Sequence, residues 1–365
     1  MIRLAHPALS EDVLERLRPL LANGMLTSGR LVGELEDLLS AQVQGREVVL
    51  VSSGTTAALL GFQILYDLGV RHLLIPDFTF PSVAASALRV GLKLTLTDID
   101  AHLLSMPPEA LDGWPAGPEY GFLSIDQFGI PGPNEALRQR ALTGGWRWFE
   151  DAACAQGSTS DSVPCGTRAT VSIFSFHPRK VMTTAEGGAL ILEDPELARQ
   201  ARELRSLGLT GQGLDRNFTS LGYNARLSEV HAALGLDHIT RLEAMLQTRR
   251  DLGMHYLKLL NEWGEIAVPG GFGVPGANFQ SMVVLLPPGI DRGAVARELL
   301  QRGIESTLPG FAIHTQPAFA GLPRTGPLVH SHTLHDRGLA LPLHDGMSAQ
   351  DVATVVAGLR EAVGD

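Results

Sequence analysis

Cysteine is the rarest residue of this 365-residue chain, with Cys154 and Cys165 the two present. Two thiols cannot build a disulfide framework, and their number fits a reducing compartment. Positive charge is also short: 29 Lys and Arg stand against 39 Asp and Glu, for a net charge of -10 and a pI near 5.6. No stretch concentrates Lys and Arg as a nucleic-acid surface requires. Long apolar runs are missing as well. None reaches the roughly 18 residues of a membrane span, and Met1 to Val13 carries charges where a signal peptide needs an apolar core. The expected address is the cytoplasm, with neither nucleic acid nor membrane as a partner. No internal repeat or low-complexity segment occurs. What remains is small-molecule chemistry in a globular chain: 44% of the residues are hydrophobic, and the length allows a large domain plus a smaller one.

Between Val48 and about Leu192, apolar strands alternate with small-residue helices: strand 48–51 and helix 55–66, strand 73–76 and helix 82–90, then strands at 92–96, 120–125 and 146–149. Strand, helix, strand at this repeat predicts an α/β domain, a mostly parallel sheet covered by helices on both faces. Ligands bind such sheets beyond the strand C-termini. Ahead of it, Ser10, Glu11 and Asp12 signal a helix start, and Val13, Leu14, Leu17, Leu20 and Leu21 recur at helical spacing until Gly24, a short docking helix. Ser228 opens a long helical pattern, with Leu234, Ile239, Leu242, Met245, Leu246 and Leu252 as its stripe, to about Trp263. Beyond a Gly/Pro-rich stretch at 269–276 come a strand at 282–286, a helix at 292–302 and a last helix at 349–363. Ser348 and Asp351 form a variant capping box for that last helix. The division expected is a large ligand-binding domain over 1–240, with the docking helix at 1–24, and a small α+β domain over 241–365 that includes the inter-domain helix.

Lys180 is the residue with the most unusual neighbours. Val171–Phe176 reads as a buried strand and Ala189–Leu192 as its hairpin partner, so the lysine sits on the connection. A partly desolvated amine is poised for nucleophilic and Schiff-base chemistry. Other weak signals collect at strand ends. Ser53-Gly54-Thr55-Thr56 is a Gly turn into a helix, where the N–H groups of Thr55 and Thr56 can hold an anion such as phosphate, or where Ser53 is a plain N-cap. Asp151, past a buried strand and followed by small residues, can pair with a pyridinium nitrogen, or cap a helix. Phe80 can stack on a heteroaromatic ligand, or be ordinary core. Ser175 can add a hydroxyl to an anion cup. A phosphate cup, a pyridinium partner, a stacking ring and an amine are together the demands of pyridoxal 5'-phosphate (PLP).

The ordered set Thr27-Ser-Gly29, Gly33-Glu-Leu-Glu36, Ser53-Gly-Thr55, Pro76-Asp-Phe-Thr-Phe80, Glu150-Asp-Ala-Ala153, Ser175-Phe-His-Pro-Arg-Lys180, Glu186-Gly-Gly188, Gly222-Tyr-Asn-Ala-Arg-Leu-Ser228 and Leu341-Pro-Leu-His344 resembles the DegT/DnrJ/StrS aminotransferases over nearly the whole chain. These PLP enzymes aminate keto sugars on nucleotide carriers. The resemblance implies fold type I, with a three-layer α/β/α domain on a mostly parallel mixed sheet, a small C-terminal α+β domain and a homodimer with shared sites. It implies Lys180 as the Schiff-base lysine, Asp151 as partner of the ring nitrogen, Phe80 as stacking ring, and Gly54, Thr55, Thr56 and Ser175 as phosphate cup. Asn224 resembles the asparagine that completes the cup from the neighbouring subunit, with Arg226 in the same loop. His314 falls where the family approaches substrate. One departure stands out. Cys154 occupies the position where the family usually has Gln or His, and a thiol donates poorly to the cofactor's 3-hydroxyl, so either the site is tuned differently or Gln156 compensates. A sister group of dehydratases has His in place of the lysine; here Lys180 is kept, with His177 before it, which favours amino transfer.

The expected reaction moves an amino group, from glutamate, to a keto sugar. A cyclitol ketone is the alternative acceptor, and a PLP-binding regulator without turnover is the alternative class. His330, His332 and His335 lack an acidic partner other than Asp336 and read as a polar loop, so no metal is expected.

Overall fold

The computed structural model describes residues 1–27, 29–211 and 213–364; Ser28 of the Thr27–Gly29 motif lies outside them. The central sheet has seven strands, β1 (Glu47–Val51), β2 (His72–Pro76), β3 (Lys93–Thr97), β4 (Tyr120–Ile125), β5 (Arg147–Asp151), β6 (Val171–Ser175) and β7 (Gly188–Leu192), in the order β1-β7-β6-β5-β4-β2-β3. β2 pairs in parallel with β3 and β4, as do β4 with β5 and β5 with β6. β7 is antiparallel to both neighbours. The cause is local: β6 and β7 are joined directly by the loop carrying Lys180, and without a crossover helix the chain can only return antiparallel.

Side chains alternate across this sheet, as the period of two demands. Val49, Leu73, Leu123 and Phe149 share one apolar cluster, while Leu50, Leu74, Phe122 and Trp148 belong to clusters on the other face. Both faces therefore need cover. The helices are α1 (Asp12–Asn23), α2 (Arg30–Gln42), α3 (Gly54–Asp67), α4 (Pro81–Val90), α5 (Asn134–Gly144), α6 (Pro195–Arg205) and α7 (Glu229–Trp263). Leu60 of α3, Val83 of α4 and Leu197 of α6 cover the first face. Leu35 of α2 and Leu236 of α7 join the cluster that holds Leu50, and Leu137 of α5 joins Phe122 and Trp148. Glu36 binds α2 to the sheet, accepting the Leu50 N–H at 2.9 Å and pairing with Arg205 at 2.6 Å.

A second apolar core uses the far half of α7. Leu252, Tyr256 and Leu260 pack with β8 (Met282–Leu285) and its antiparallel partner β9 (Gly338–Leu341). Val295 of α8 (Arg292–Gln301) and Val352 of the last helix join them. The Tyr256 hydroxyl donates to the Pro342 carbonyl at 2.8 Å, tying α7 to the Leu341–His344 motif. Among the described residues no helix is long and apolar enough to cross a membrane.

Two expectations are corrected. Ser10 is not the cap of α1; the N-cap is Glu11, and the Ser10 hydroxyl bonds the Asp237 carboxylate instead. The histidine-rich segment is a helix, α9 (Val329–Arg337), ahead of α10 (Ala349–Val363). Its first turn is capped from far away in sequence: Asp98 accepts the N–H groups of His330 at 2.9 Å and Ser331 at 2.8 Å. A carboxylate at that end satisfies orphan donors and favours the helix dipole.

Candidate active site

Where β1, β5 and β6 end, the chain leaves a cavity of about 510 Å³. Gly54, Thr55, Phe80, Asp151, Cys154, Ser175 and Lys180 all stand in its wall. Leu308, Leu341 and Leu343, from the side of the second core, close it.

The anion cup begins with Ser53, the N-cap of α3, whose hydroxyl accepts the Thr56 N–H at 3.1 Å. Such a cap is worth about 1 kcal/mol. It also uses the Thr56 donor that was expected to be free, and the Thr56 hydroxyl turns to Ser53 at 2.9 Å. The Gly54 and Thr55 amides remain, in the first turn where no helical partner exists. Glycine is required here by close approach. Gly188 pairs with both Val51 and Ser175; a Cβ on it would lie 2.6 Å from the Gly54 nitrogen, and a Cβ on Gly54 would lie 2.8 Å from that of Ser175. Three backbones meet at the floor of the cup.

Asp151 ends β5 and is 5% exposed. Its Oδ1 accepts the Ala153 N–H at 3.0 Å. Burial pushes its carboxyl above the usual range, opposed by that N–H and by the charge of Lys180. A cationic donor entering from the cavity would complete the stabilisation of the carboxylate.

Lys180 sits in a turn, its N–H donating to the His177 carbonyl at 2.8 Å, and its Nζ donates to Cys154 Sγ at 2.9 Å. Gln156 does not compensate for Cys154. Its amide donates to Gln42 at 3.1 Å and lies against Met182 Sδ, away from the cavity wall. Phe80, at the start of α4, is 64% exposed, with its ring edge-on to Phe311 at 6.3 Å. It lines the rim and is not core.

His314 is outside the wall. Asp77, fully buried, accepts its backbone N–H at 2.8 Å and pairs with its Nδ1 at 2.6 Å. A buried carboxylate needs those donors, so Asp77 holds the backbone and the Nδ1 of this histidine. Asn224 and Arg226 do not line this chain's own cavity either. They bridge Ser206 and Val51 on the approach to α7, and Asn224 is exposed.

Several features had no signal in local pattern. Beneath Asp151 lie two buried carboxyls. Glu150 accepts from the Gly166 N–H at 2.7 Å and the Ser172 hydroxyl at 2.9 Å, and Asp126 accepts from the Gly132 N–H at 2.7 Å. Burial and the charge of Asp126 push Glu150 up to about 8, so the pair keeps a proton. Gln280, from the stretch before β8, also reaches the wall.

An amine, a buried carboxyl and a backbone anion cup at the C-terminal edge of a mostly parallel sheet, closed by a second core, are the architecture of a fold type I aminotransferase. The chain belongs to the DegT/DnrJ/EryC1/StrS aminotransferase family, whose model matches residues 7–360. Among solved structures it is similar to the aminotransferase TlmJ from Streptoalloteichus hindustanus, at 27% identity over 99% of this chain and 98% of that one, with a TM-score of 0.91. DesI, solved in the presence of its TDP-sugar product, is 26% identical over 99% and 93% of the two chains, with a TM-score of 0.88. Helicobacter pylori PseC, an aminotransferase of pseudoaminic acid biosynthesis, shares the fold at a TM-score of 0.92, with 20% identity over 99% and 98%.

Proposed function

We propose that this aminotransferase uses PLP to move an amino group from glutamate to a keto sugar on a nucleotide carrier. The observation that carries the reading is the placing of the Lys180 amine in one cavity with the Asp151 carboxyl and the Gly54 and Thr55 amides. The residues fit the cofactor. An anion cup that tolerates no Cβ at Gly54 or Gly188 suits a phosphate, and a buried carboxyl with one N–H donor suits a protonated ring nitrogen. When bound, PLP supplies the electron sink for negative charge at the donor's α-carbon.

The chain's own residues do the rest. Gly54, Thr55 and Ser175 hold the phosphate at the positive end of α3. Asp151 would keep the proton on the ring nitrogen, and Phe80 at the rim would be the stacking ring. Lys180 would hold the cofactor covalently, and its Nζ would be the group that takes and returns the donor's α-proton. The Cys154 sulfur, which accepts from that Nζ, is a weak acceptor and leaves the amine free to move. We place the division of the chain near residue 240, within α7, and assign Asn224 and Arg226 to the neighbouring active site of a homodimer. DesI, solved in the presence of its TDP-sugar product, supports an amino-sugar pathway as the setting.

The test is a two-stage assay. Glutamate alone should convert the bound cofactor to its amino form, and a nucleotide-linked keto sugar should convert it back. Return with a cyclitol ketone only would replace the acceptor, and failure of the first stage would leave a binding protein without turnover.

A further inference from the structure

The stretch that leads into β8 reaches across to both sides of the Lys180 and Cys154 contact. Asn278 is fully buried and Gln280 is 5% exposed. The Asn278 side chain donates to the carbonyls of Cys154 at 3.0 Å and Gln156 at 2.8 Å. The Gln280 side chain accepts the Val181 N–H at 2.8 Å and donates to the Arg179 carbonyl, so it brackets Lys180 on either side. The two amides are tied to each other, because Asn278 Oδ1 accepts the Gln280 N–H at 2.7 Å.

The stretch is held in an unusual backbone to do this. Phe279, between the two, has φ of 52°, a left-handed conformation rare for a residue with a side chain. Its ring stacks on Phe272 at 5.9 Å and occupies the space above Gly253 of α7, where a Cβ would come within 2.2 Å. Opposite, Gly129 has φ of 85°, and a Cβ there would lie 1.7 Å from Asn278 Oδ1. Its carbonyl accepts the Asn278 N–H at 3.1 Å. Strain of this kind persists only where the surroundings over-determine it.

We propose that Asn278 and Gln280 are positioning residues for amino transfer: one grips the Cys154 loop, the other the Lys180 loop, and together they set where the lysine amine returns. The inference rests on the function proposed above. A lysine stem is long and flexible, so its reach is decided by the backbone that carries it. Misplacing a reacting group by about 1 Å costs about a hundredfold in rate, and the Arg179 carbonyl and Val181 N–H have the Gln280 amide as the partner that fixes them. Because both amides belong to the stretch that leads into β8 and the second core, the position of that core is also imposed on Lys180.

Gln280→Met removes both bonds at similar volume. Gln280→Glu keeps the acceptor for Val181 but sets a carboxylate against the Arg179 carbonyl until it is protonated. In the cofactor-free protein, hydrogen exchange of the peptide containing Val181 should rise about tenfold in Gln280→Met and less in Gln280→Glu, with β6 and β7 unchanged. Capture of added PLP, followed by absorbance, should slow about tenfold, and kcat should fall 10- to 100-fold with KM little changed, roughly as the proximity argument requires. Capture by Gln280→Glu, relative to wild type, should recover as pH is lowered, and Gln280→Met should not.

Capture and kcat within about twofold of wild type in either folded variant would overturn the proposal. So would exchange that rises evenly across all peptides, or failure of both variants to fold, since each describes a purely structural role. If Gln280→Met alone fails to fold, Gln280→Glu decides. Borohydride labelling of the wild type keeps the two proposals apart. A label away from Lys180 removes both readings, whereas a label on Lys180 with unaffected variants removes only this one.

Discussion

The floor of the cavity and the loop ahead of α7 are built on opposite terms. Around Lys180 the partners come from the ends of β1 and β5 and from the stretch before β8, and the groups that fix the site are buried. Among the described residues between Leu207 and Tyr223 the regular structure is a two-residue ladder, Leu209–Thr210 against Asn217–Phe218, and Leu214, Phe218 and Leu221 are 104%, 73% and 95% exposed. Exposed apolar side chains of this kind suit the dimer proposed above. The hydrogen bonds that fix the first region around Lys180 are made within one chain. The second is left open by it, and the proposed dimer puts Asn224 from that loop into the neighbouring cup.

The largest effect expected is at the floor. Lys180→Ala should lower amination by at least about a thousandfold, because both the covalent hold and the proton carrier are lost. The chain has three lysines, Lys93, Lys180 and Lys258, so borohydride reduction followed by peptide mapping assigns the label without ambiguity. A surviving label would move the site.

Asp151→Asn should retain PLP and lose amination by about a hundredfold or more, since an amide cannot hold the ring nitrogen protonated. Cofactor stoichiometry and single-turnover rates separate the two effects. Normal turnover would leave Asp151 with a structural role only.

The open loop is tested by mixing. Asn224→Asp sets a negative charge against the phosphate and should be weak on its own. Co-expressed with Lys180→Ala, it should regain up to about a quarter of the wild-type sites, because about half the dimers are mixed and each has one intact site under two-fold symmetry. If mixed dimers confirmed by mass show only the average of the parents, the cup is finished within one chain, and the contrast between the two regions loses its functional meaning.

A smaller effect comes from the buried carboxyls. Glu150 keeps its proton to about pH 8 in the fold and loses it near the ordinary carboxylate range when unfolded. The folded state therefore binds more protons in that window, and its stability falls as pH rises through about 8. Thermal unfolding midpoints should drop by several degrees between about pH 6 and pH 9, and Glu150→Gln should flatten the slope. An unchanged slope in that variant would assign the pH response elsewhere. The smallest effect expected is Cys154→Gln, with amination within about threefold of wild type and PLP held at least as well, because a stronger donor replaces a thiol. Loss of PLP would show that the contact between Cys154 and Lys180 is too close for a larger side chain.

Much of this molecule is legible in local pattern. The strands and the helices over 54–67, 229–263 and 349–363 follow from periods of two and 3.6 and from caps a few residues away, such as Ser228, Ser348 and Asp351. The family resemblance likewise rested on short motifs, and these fall at strand ends because that is where a parallel sheet exposes its loops. The sequence by itself thus determined the α/β layering, the family and the candidates Lys180, Asp151, Gly54 and Phe80. Tertiary structure alone decided which polar groups meet. It handed His314 to Asp77, turned Gln156 toward Gln42, capped α9 with Asp98, and set Asn278 and Gln280 beside Cys154 and Lys180. Apolar periodicity records which face is buried. Hydrogen bonds between residues a hundred or more positions apart leave no periodic trace, because a buried donor needs only some acceptor within reach, and folding chooses which one.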